Sequence, residues 1–378
     1  MNAETGTSPR YARAKMTSGG ESLGHVAVLS AEPWDEVWRR NQHLASQLVG
    51  QRLCERLTFV EPPVRGRALR RRNVASGIEA VTPPLPIPRT LGGLTLTARV
   101  LRKAVLADVD VLWINDPVLG RLTADAVPVA SYDVTDDWRT SDLAPRIRRR
   151  LVGAEDFLAA HCGTIVCSAT LADRWLTRYG VRATVVQNGT DVDGMRRARP
   201  ATLPGAQPHA GYIGTLHDER LDVPLVLAVG DDPQIGTVHL VGPDALTAAS
   251  RERLRAHPKI RLHGPVPATD VPSWTVAMDL LLCPHLVTEF TLSLDALKAY
   301  EYLASGRPVV ATPTSGFQQL VGEPGVLVRE STRFVAALGD ALQMPVRTPS
   351  SMDLGWARRA REFAAALGGA AHPTTVPG

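Results

Sequence analysis

The chain has 378 residues, 44% of them hydrophobic and 21% charged, with a formal net charge of +4. That length suits two domains of ordinary size, each able to bury its own core. No run of 18 apolar residues occurs, so no membrane-spanning helix is expected, and basic residues are not interleaved with aromatics, which disfavours a nucleic-acid partner.

Residues 1–22, rich in Thr, Ser, Gly and basic side chains, lack the apolar centre of a signal peptide and read as a disordered leader, with Met16 as an alternative start. "HVAVLS" (25–30) reads as a strand, and helical spacing follows from Trp38 to Leu48. "LTFVEP" (57–62) is a strand, whereas 63–90, full of Pro and Arg, reads as a loop. A helix over 94–107 leads to strands at 109–116, 127–134 and 163–169, with a helix introduced by Asp142 and Pro145 between the last two. "TLADRWLTRYG" (170–180) is a helix with a Thr170/Asp173 capping box and Gly180 at its end. "ATVVQNGTD" (183–191) is a further strand and turn.

These strands are continuous apolar runs alternating with helices, the pattern of a parallel sheet covered on both faces. A proline-punctuated linker spans Pro200 to Pro208, and the theme then restarts. Strands are expected at 210–216, 236–243, 260–267, 279–284 and 308–313. The division is therefore a leader (1–22), a first Rossmann-like domain (23–199), a second (200–348), and a terminal segment (349–378). In that last segment "LGWARRAREFAAAL" is a helix able to cross back to the first domain, and the final ten residues read as disordered. The fold class is α/β, two doubly wound domains facing a central cleft at the carboxyl ends of their strands.

The stretch "LSLDALKAYEYLASGRPVVATPTSGF" (292–317) places chemistry in that cleft. Its helix is expected to start near Asp295, capped by Ser293 or Asp295, and to end at Gly306. The free N–H groups and dipole of its first turn suit a phosphate. Lys298, one of only four lysines in the chain, adds a charge to the same place, and Glu301 follows one turn on, where a carboxylate can accept two ribose hydroxyls. The simpler alternative is a Lys298–Glu301 salt bridge on an exposed helix, although the apolar flanks leave that face little reason to be bathed in solvent.

"YEYLASGRPVVATPTSG" resembles the donor-site signature of the GT-B glycosyltransferases, the large retaining nucleotide-sugar group (glycosyl transferases group 1, family 4-like). "VVQNGTD" (185–191), "GYIGTL" (211–216), "LVGP" (240–243), "HGPVP" (263–267) and "DLLLCP" (279–284) match in the family's order, so the resemblance covers most of 25–317. "LSLDALKAYEYLA" and "AEPWDEVWRRNQHLA" are similar to a subgroup linked to cell-surface polysaccharides and natural-product glycosides.

The resemblance implies that Glu301 binds the donor ribose. It puts the N–H groups of Asp295, Ala296 and Leu297 on the diphosphate, with Lys298 supporting the leaving group, and backbone around Gly264 to Val266 on the base. Three positions depart from the family. Ser293 stands where a second Glu contacts the donor sugar, with Glu289 nearby as a substitute. Thr215, after Gly214, and Leu221 stand where Arg and Lys usually grip phosphate, with Arg220 adjacent. His285 follows a strand end and faces the donor in this reading.

On the acceptor side, Asp133 and Asn115 replace histidines of the family. Asp133 is the candidate general base, which would mean inversion where the donor site implies retention. Asp136 and Asp137 bind sugar hydroxyls or cap the next helix. Trp34, Asp35 and Arg40 shape the acceptor pocket or serve packing.

The two "DVD" triplets (108–110 and 191–193) and the scattered histidines are not read as metal ligands, so neither a metal nor another cofactor is expected. Cysteines 54, 162, 167 and 283 have no metal-type spacing and read as reduced thiols of a cytoplasmic protein. The basic clusters Arg70–Arg72 and Arg146, Arg148, Arg149, Arg150 read as solvated faces, or as peripheral contacts to acidic lipid or a polyanion. The expected activity is transfer of a sugar from a nucleoside diphosphate to an acceptor hydroxyl or amine, in natural-product or cell-surface glycan synthesis. A catalytically silent partner protein, or a sugar-nucleotide epimerase or phosphorylase of the same fold, is the alternative. Oligomeric state stays open.

Overall fold

The computed structural model describes residues 22–348 and 354–369. The readings for the leader, for Met16 and for the extreme carboxyl terminus lie outside the described residues.

In the first half, the elements are β1 (His25–Leu29), α1 (Arg40–Gly50), β2 (Arg56–Val60), β3 (Val64–Arg65), β4 (Arg70–Ala75), β5 (Ile78–Thr82), β6 (Pro84–Leu85), α2 (Gly93–Ala104), β7 (Val111–Ile114), α3 (Pro117–Thr123), β8 (Val129–Val134), α4 (Pro145–His161), β9 (Gly163–Val166), α5 (Ala169–Tyr179), β10 (Thr184–Val185) and α6 (Val192–Arg197). The second half runs β11 (His209–Ile213), β12 (Leu216–His217), α7 (Val223–Asp231), β13 (Thr237–Val241), β14 (Asp244–Ala245), α8 (Ala248–Ala256), β15 (Ile260–Gly264), α9 (Val271–Ala277), β16 (Leu280–Cys283), α10 (Leu297–Ser305), β17 (Val309–Ala311), α11 (Ser315–Gln318), β18 (Val326–Val328), α12 (Ser331–Phe334), α13 (Leu338–Leu342) and α14 (Trp356–Gly368).

The first sheet has the order β10-β9-β8-β7-β1-β2-β5-β4, parallel except for the antiparallel β4–β5 pair at its edge. The second has the order β15-β13-β11-β16-β17-β18 and is parallel throughout. Side chains alternate between two cores, as the pleat requires. Ala27 and Leu29 of β1 join Leu101, Leu119, Leu158 and Trp175 on one face. Val26 and Val28 join Leu44, Leu48 and Phe363 on the other. In β16, Leu280 and Leu282 face one core, Leu281 and Cys283 the other. All four cysteines are buried and unpaired.

β1 lies between β2 and β7, and β11 lies between β13 and β16, so the chain winds off in opposite directions from each. Such reversals open a crevice at the carboxyl ends of the strands. α14 returns to the first domain: Trp356 N–H donates to the Thr190 carbonyl at 3.2 Å, and the Phe363 ring stands 4.7 Å from that of Trp113.

Three local expectations are corrected. Segment 63–90 is not a loop: "RRRNVASGIEAVT" makes a hairpin whose inner strand, β5, pairs with β2, while its arginine-bearing strand sits at the sheet edge, where charge is tolerated. The prolines that obscure it flank the strands, and Gly77, at φ 76°, makes the turn. α5 is capped by Ser168, which accepts from Leu171 N–H, and not by a Thr170/Asp173 box. α10 begins at Leu297 with no side-chain cap, because Ser293 and Asp295 are engaged elsewhere.

Candidate active site

α10 delivers Lys298 and Glu301 to the crevice, and Gly306, at φ 68°, ends it. The N–H groups of Asp295, Ala296, Leu297 and Lys298 have no acceptor among the described residues. Glu301 is half-buried and makes no hydrogen bond or ion pair with any described residue; burial pushes its carboxyl up against the pull of the Lys298 charge. The Lys298–Glu301 salt bridge of the alternative reading does not form. Lys298 instead places its ammonium 4.8 Å from the centre of the Tyr212 ring, a cation–π contact.

Two glycines at strand ends make room for this side chain. Gly214, at φ 144°, packs so closely that a Cβ would lie 3.1 Å from Lys298 Nζ, and a Cβ on Gly242 would lie 2.3 Å from the Gly214 carbonyl oxygen. Gly264 accepts the Gly242 N–H at 2.8 Å, and Val266 packs half-buried behind it. Thr215 accepts the Tyr212 hydroxyl through its carbonyl. His285 does not open to the cleft: it is buried, its Nε2 is 3.0 Å from the Tyr212 hydroxyl, and burial with the nearby charges of Lys298 and Arg220 holds it well below the usual imidazole range. Leu221 is core. Ser293 is fully buried, its hydroxyl donating to the Phe290 carbonyl at 2.6 Å, so it offers nothing to a sugar; Glu289 is exposed on the same loop.

The first-domain candidates are arranged differently from expectation. Asp133 is 1% exposed and is gripped by Arg40 through two hydrogen bonds of 3.0 and 3.1 Å, with Trp113 Nε1 at 3.2 Å. A carboxylate so enclosed cannot reach an acceptor proton. Arg40 is equally removed from any acceptor, and Asn115, 8% exposed, accepts from Asn41 at 2.9 Å and from Ala31 N–H. Trp34 packs edge-on against Phe59 and Trp38, with Glu61 accepting its N–H at 3.0 Å. Asp137 neither caps a helix nor faces the cleft; Arg174 and Arg178 neutralise it. Three of the four "DVD" carboxylates are also committed: Asp108 pairs with Arg56, Asp110 accepts His25 N–H, and Asp191 caps α6; Asp193 is exposed.

Asp136 is the acceptor-side candidate that does reach the crevice. Its carboxylate meets Arg220 of the second domain at 3.6 Å, and Arg220 also lies 5.2 Å over Phe290. Ala268 N–H donates to the Glu36 carbonyl, and Ser168 Oγ donates to the Ser293 carbonyl at 2.7 Å, so the domains touch at both sides of the opening.

Sequence reasoning missed Asn188 and Tyr300. Asn188 donates its N–H to the Asp295 carboxylate and its amide to the Asp295 carbonyl, both at 2.6 Å, while its Oδ1 accepts from Arg40 at 3.1 Å. Tyr300 completes the chain with a 2.7 Å bond to Asp295. The Asn-Gly of "VVQNGTD" was the available signal, but it reads as a local turn.

Two doubly wound domains meeting over a crevice define the GT-B architecture, and one wall of that crevice carries an uncapped helix start, a lysine without a counter-ion among the described residues and an unpartnered carboxylate. Residues 208–344 match the family described as glycosyl transferases group 1. The putative teichuronic acid biosynthesis glycosyltransferase TuaH of Bacillus subtilis is 25% identical over 333 residues, 77% of this chain and 81% of that protein. Among solved structures, sucrose-phosphate synthase of Thermosynechococcus elongatus superposes with a TM-score of 0.66 at 16% identity, covering 91% of this chain and 94% of that one. Anabaena HepE in complex with UDP-glucose gives 0.58 at 15% identity, covering 91% and 95%. The chain is a glycosyltransferase of GT-B architecture, and its residues 208–344 are similar to glycosyl transferases group 1.

Proposed function

We propose that the chain moves a sugar from a nucleoside diphosphate donor, held by the second domain, to a hydroxyl or amine of an acceptor held by the first, in the assembly of a cell-surface polysaccharide. The observation that carries this reading is Glu301, a half-buried carboxylate without a partner among the described residues, three residues from a lysine with no counter-ion among them. A carboxylate so placed accepts the two hydroxyls of a ribose. Lys298, Arg220 and the free N–H groups of residues 295–298 then balance the charge that grows on the departing diphosphate, a task a metal performs elsewhere. The HepE structure bound to UDP-glucose and the teichuronic acid relative support the donor and polysaccharide classes. Closure about a hinge near residue 200 excludes water from the donor. Asp133, bound to Arg40, is not available as the base of an inverting reaction, which favours retention of configuration.

The test is calorimetric titration of the wild type and Glu301→Ala with UDP, GDP, dTDP and ADP. Micromolar binding of one nucleotide, weakened on the order of tenfold or more by the loss of a charged hydrogen-bonding partner, supports the reading. Binding of none of them would instead favour the silent partner protein, for which Ser293, Thr215 and Leu221 are the departures that count. Release of nucleotide from a sugar nucleotide without acceptor would favour the epimerase.

A further inference from the structure

Four of the nine large apolar side chains exposed on the described surface cluster on one rim of the first domain: Val64 (40%), Ile87 (38%), Leu91 (69%) and Ile147 (52%). β3 and β6, which extend β2 and β5 beyond their carboxyl ends, carry Val64 and lead to Ile87. Gly93 packs on the Ile87 carbonyl, α2 packs on α3, α3 packs on α4, and Ile147 lies in the first turn of α4. The rim is therefore continuous along the carboxyl edge of the first sheet, the edge that opens to the cleft.

The same strip is basic. Arg65, Arg89, Arg146, Arg149 and Arg150 are exposed, and none of their guanidinium groups makes a hydrogen bond or an ion pair with a described residue. Arg89 and Arg150 both lie within charge range of Asp116, at the start of α3, which brings the two halves of the strip together. Arg71 and Arg72, by contrast, are tied to Glu79 and Glu61. Unpaired guanidinium groups interspersed with protruding aliphatic side chains form a surface with two requirements. The arginines want phosphate, and Leu91 and Ile147 want a place to leave water. A soluble polyanion meets the first requirement only.

We propose that this rim docks on an anionic lipid surface, its arginines on headgroup phosphates and its aliphatic side chains in the headgroup–acyl boundary. In that pose the cleft opens at the membrane, where an acceptor attached to lipid is presented. The inference does not depend on the donor assignment.

Co-sedimentation of the full chain with phosphatidylcholine vesicles, with and without phosphatidylglycerol, tests it. The wild type is expected to bind the anionic vesicles alone, and less as salt rises. Arg89→Gln/Arg146→Gln/Arg149→Gln lowers partitioning on the order of a hundredfold, about fivefold per charge. Leu91→Ser/Ile147→Ser lowers it several-fold, and Arg253→Gln/Arg255→Gln on α8 leaves it unchanged; all melt as the wild type does. Absence of binding to anionic vesicles overturns the proposal. So does binding that heparin abolishes while Leu91→Ser/Ile147→Ser leaves it intact, which would make the partner a soluble polyanion.

Discussion

Asn188 holds Asp295 at two points, its N–H on the carboxylate and its side-chain amide on the carbonyl, each at 2.6 Å. The first residue belongs to the first domain and the second introduces the helix that carries Lys298 and Glu301. Through Oδ1 the same side chain reaches Arg40, and Arg359 of α14 donates to its carbonyl at 3.1 Å. One asparagine thus joins both domains and the crossing helix at the point from which the candidate donor site projects.

Asn188→Ala leaves the Arg40 Nη1 and the Asp295 carbonyl without partners in a buried setting, at about 1–3 kcal/mol for each unsatisfied group. Stability measured by urea unfolding is expected to fall by about 2–4 kcal/mol. The donor KM rises along with it, because α10 loses its tether. Asn188→Asp keeps the N–H and the Arg40 contact but sets an oxygen against the Asp295 carbonyl, so it should fall between alanine and wild type. A fully stable Asn188→Ala protein would show that the network is not structural.

Asp133 and Arg40 give a second discriminating pair. If Asp133 were the base, Asp133→Asn would abolish turnover in an otherwise intact protein. As the counter-ion of a buried arginine, it is expected instead to lower thermal stability and to spare much of kcat. Arg40→Met strands a buried carboxylate and is expected to cost about 3–5 kcal/mol. The double variant Arg40→Met/Asp133→Leu should recover part of that loss, since a buried ion pair replaced by apolar groups is often neutral. Melting curves and initial rates on the three variants decide between the roles.

These two pairs also mark how far the sequence was legible. The strands were readable because β1, β7, β11 and β16 are apolar on both faces, and α10 because Gly306 closes a helix flanked by apolar runs. Lys298 stood out because the chain has only four lysines, and Glu301 because it follows one turn on, on the same helix face. Asp133 was misread because its partner lies 93 residues earlier in the chain, and a long-range ion pair leaves no trace in local spacing. Ser293 looked like a lost sugar contact, yet its hydroxyl is satisfied by a carbonyl three residues away. The β4–β5 hairpin was hidden because an edge strand has no need of apolar side chains.

Glu155 and His239 predict a pH dependence of stability with a defined shape. Glu155 accepts the Tyr132 hydroxyl at 3.0 Å, its other oxygen is unpartnered, and burial pushes its carboxyl up to about 8. The folded state therefore keeps a proton that the unfolded state has lost. That stabilisation is complete below the unfolded value near 4.5 and is lost as pH rises through 8. His239 stands between His209 and His263, at 3.0 and 2.9 Å, and burial, then its histidine neighbours, lower it to about 4. Its contribution is complete above the unfolded value near 6.5 and is lost as pH falls through 4. Each group contributes a slope of about 1.4 kcal/mol per pH unit within its window. Melting temperature against pH should flatten on the alkaline side in Glu155→Gln, because the amide mimics the protonated acid. An unchanged profile in that variant would mean that Glu155 is ionised in the folded protein.

Arg220 has two claims on it in the donor reading. It pairs with Asp136 across the crevice at 3.6 Å, and it stands near enough to Lys298 for both to depress His285. Two cations facing one space repel until an anion enters, and Asp136 supplies only one negative charge, at the far side. The pair is about one-third exposed on the arginine side, so its own contribution to stability is small, about 0–1 kcal/mol. Removing Asp136 therefore should barely change the melting temperature, and it releases Arg220 toward a bound diphosphate. Asp136→Asn is expected to tighten nucleotide diphosphate binding several-fold, whereas Arg220→Ala weakens it on the order of tenfold, the value of one charge-assisted hydrogen bond. The double variant should resemble Arg220→Ala alone, because the aspartate acts only through the arginine. Titration of the three proteins with the best-binding nucleotide measures this. Equal weakening by both single variants would show that the bridge serves closure of the domains and that Arg220 makes no phosphate contact.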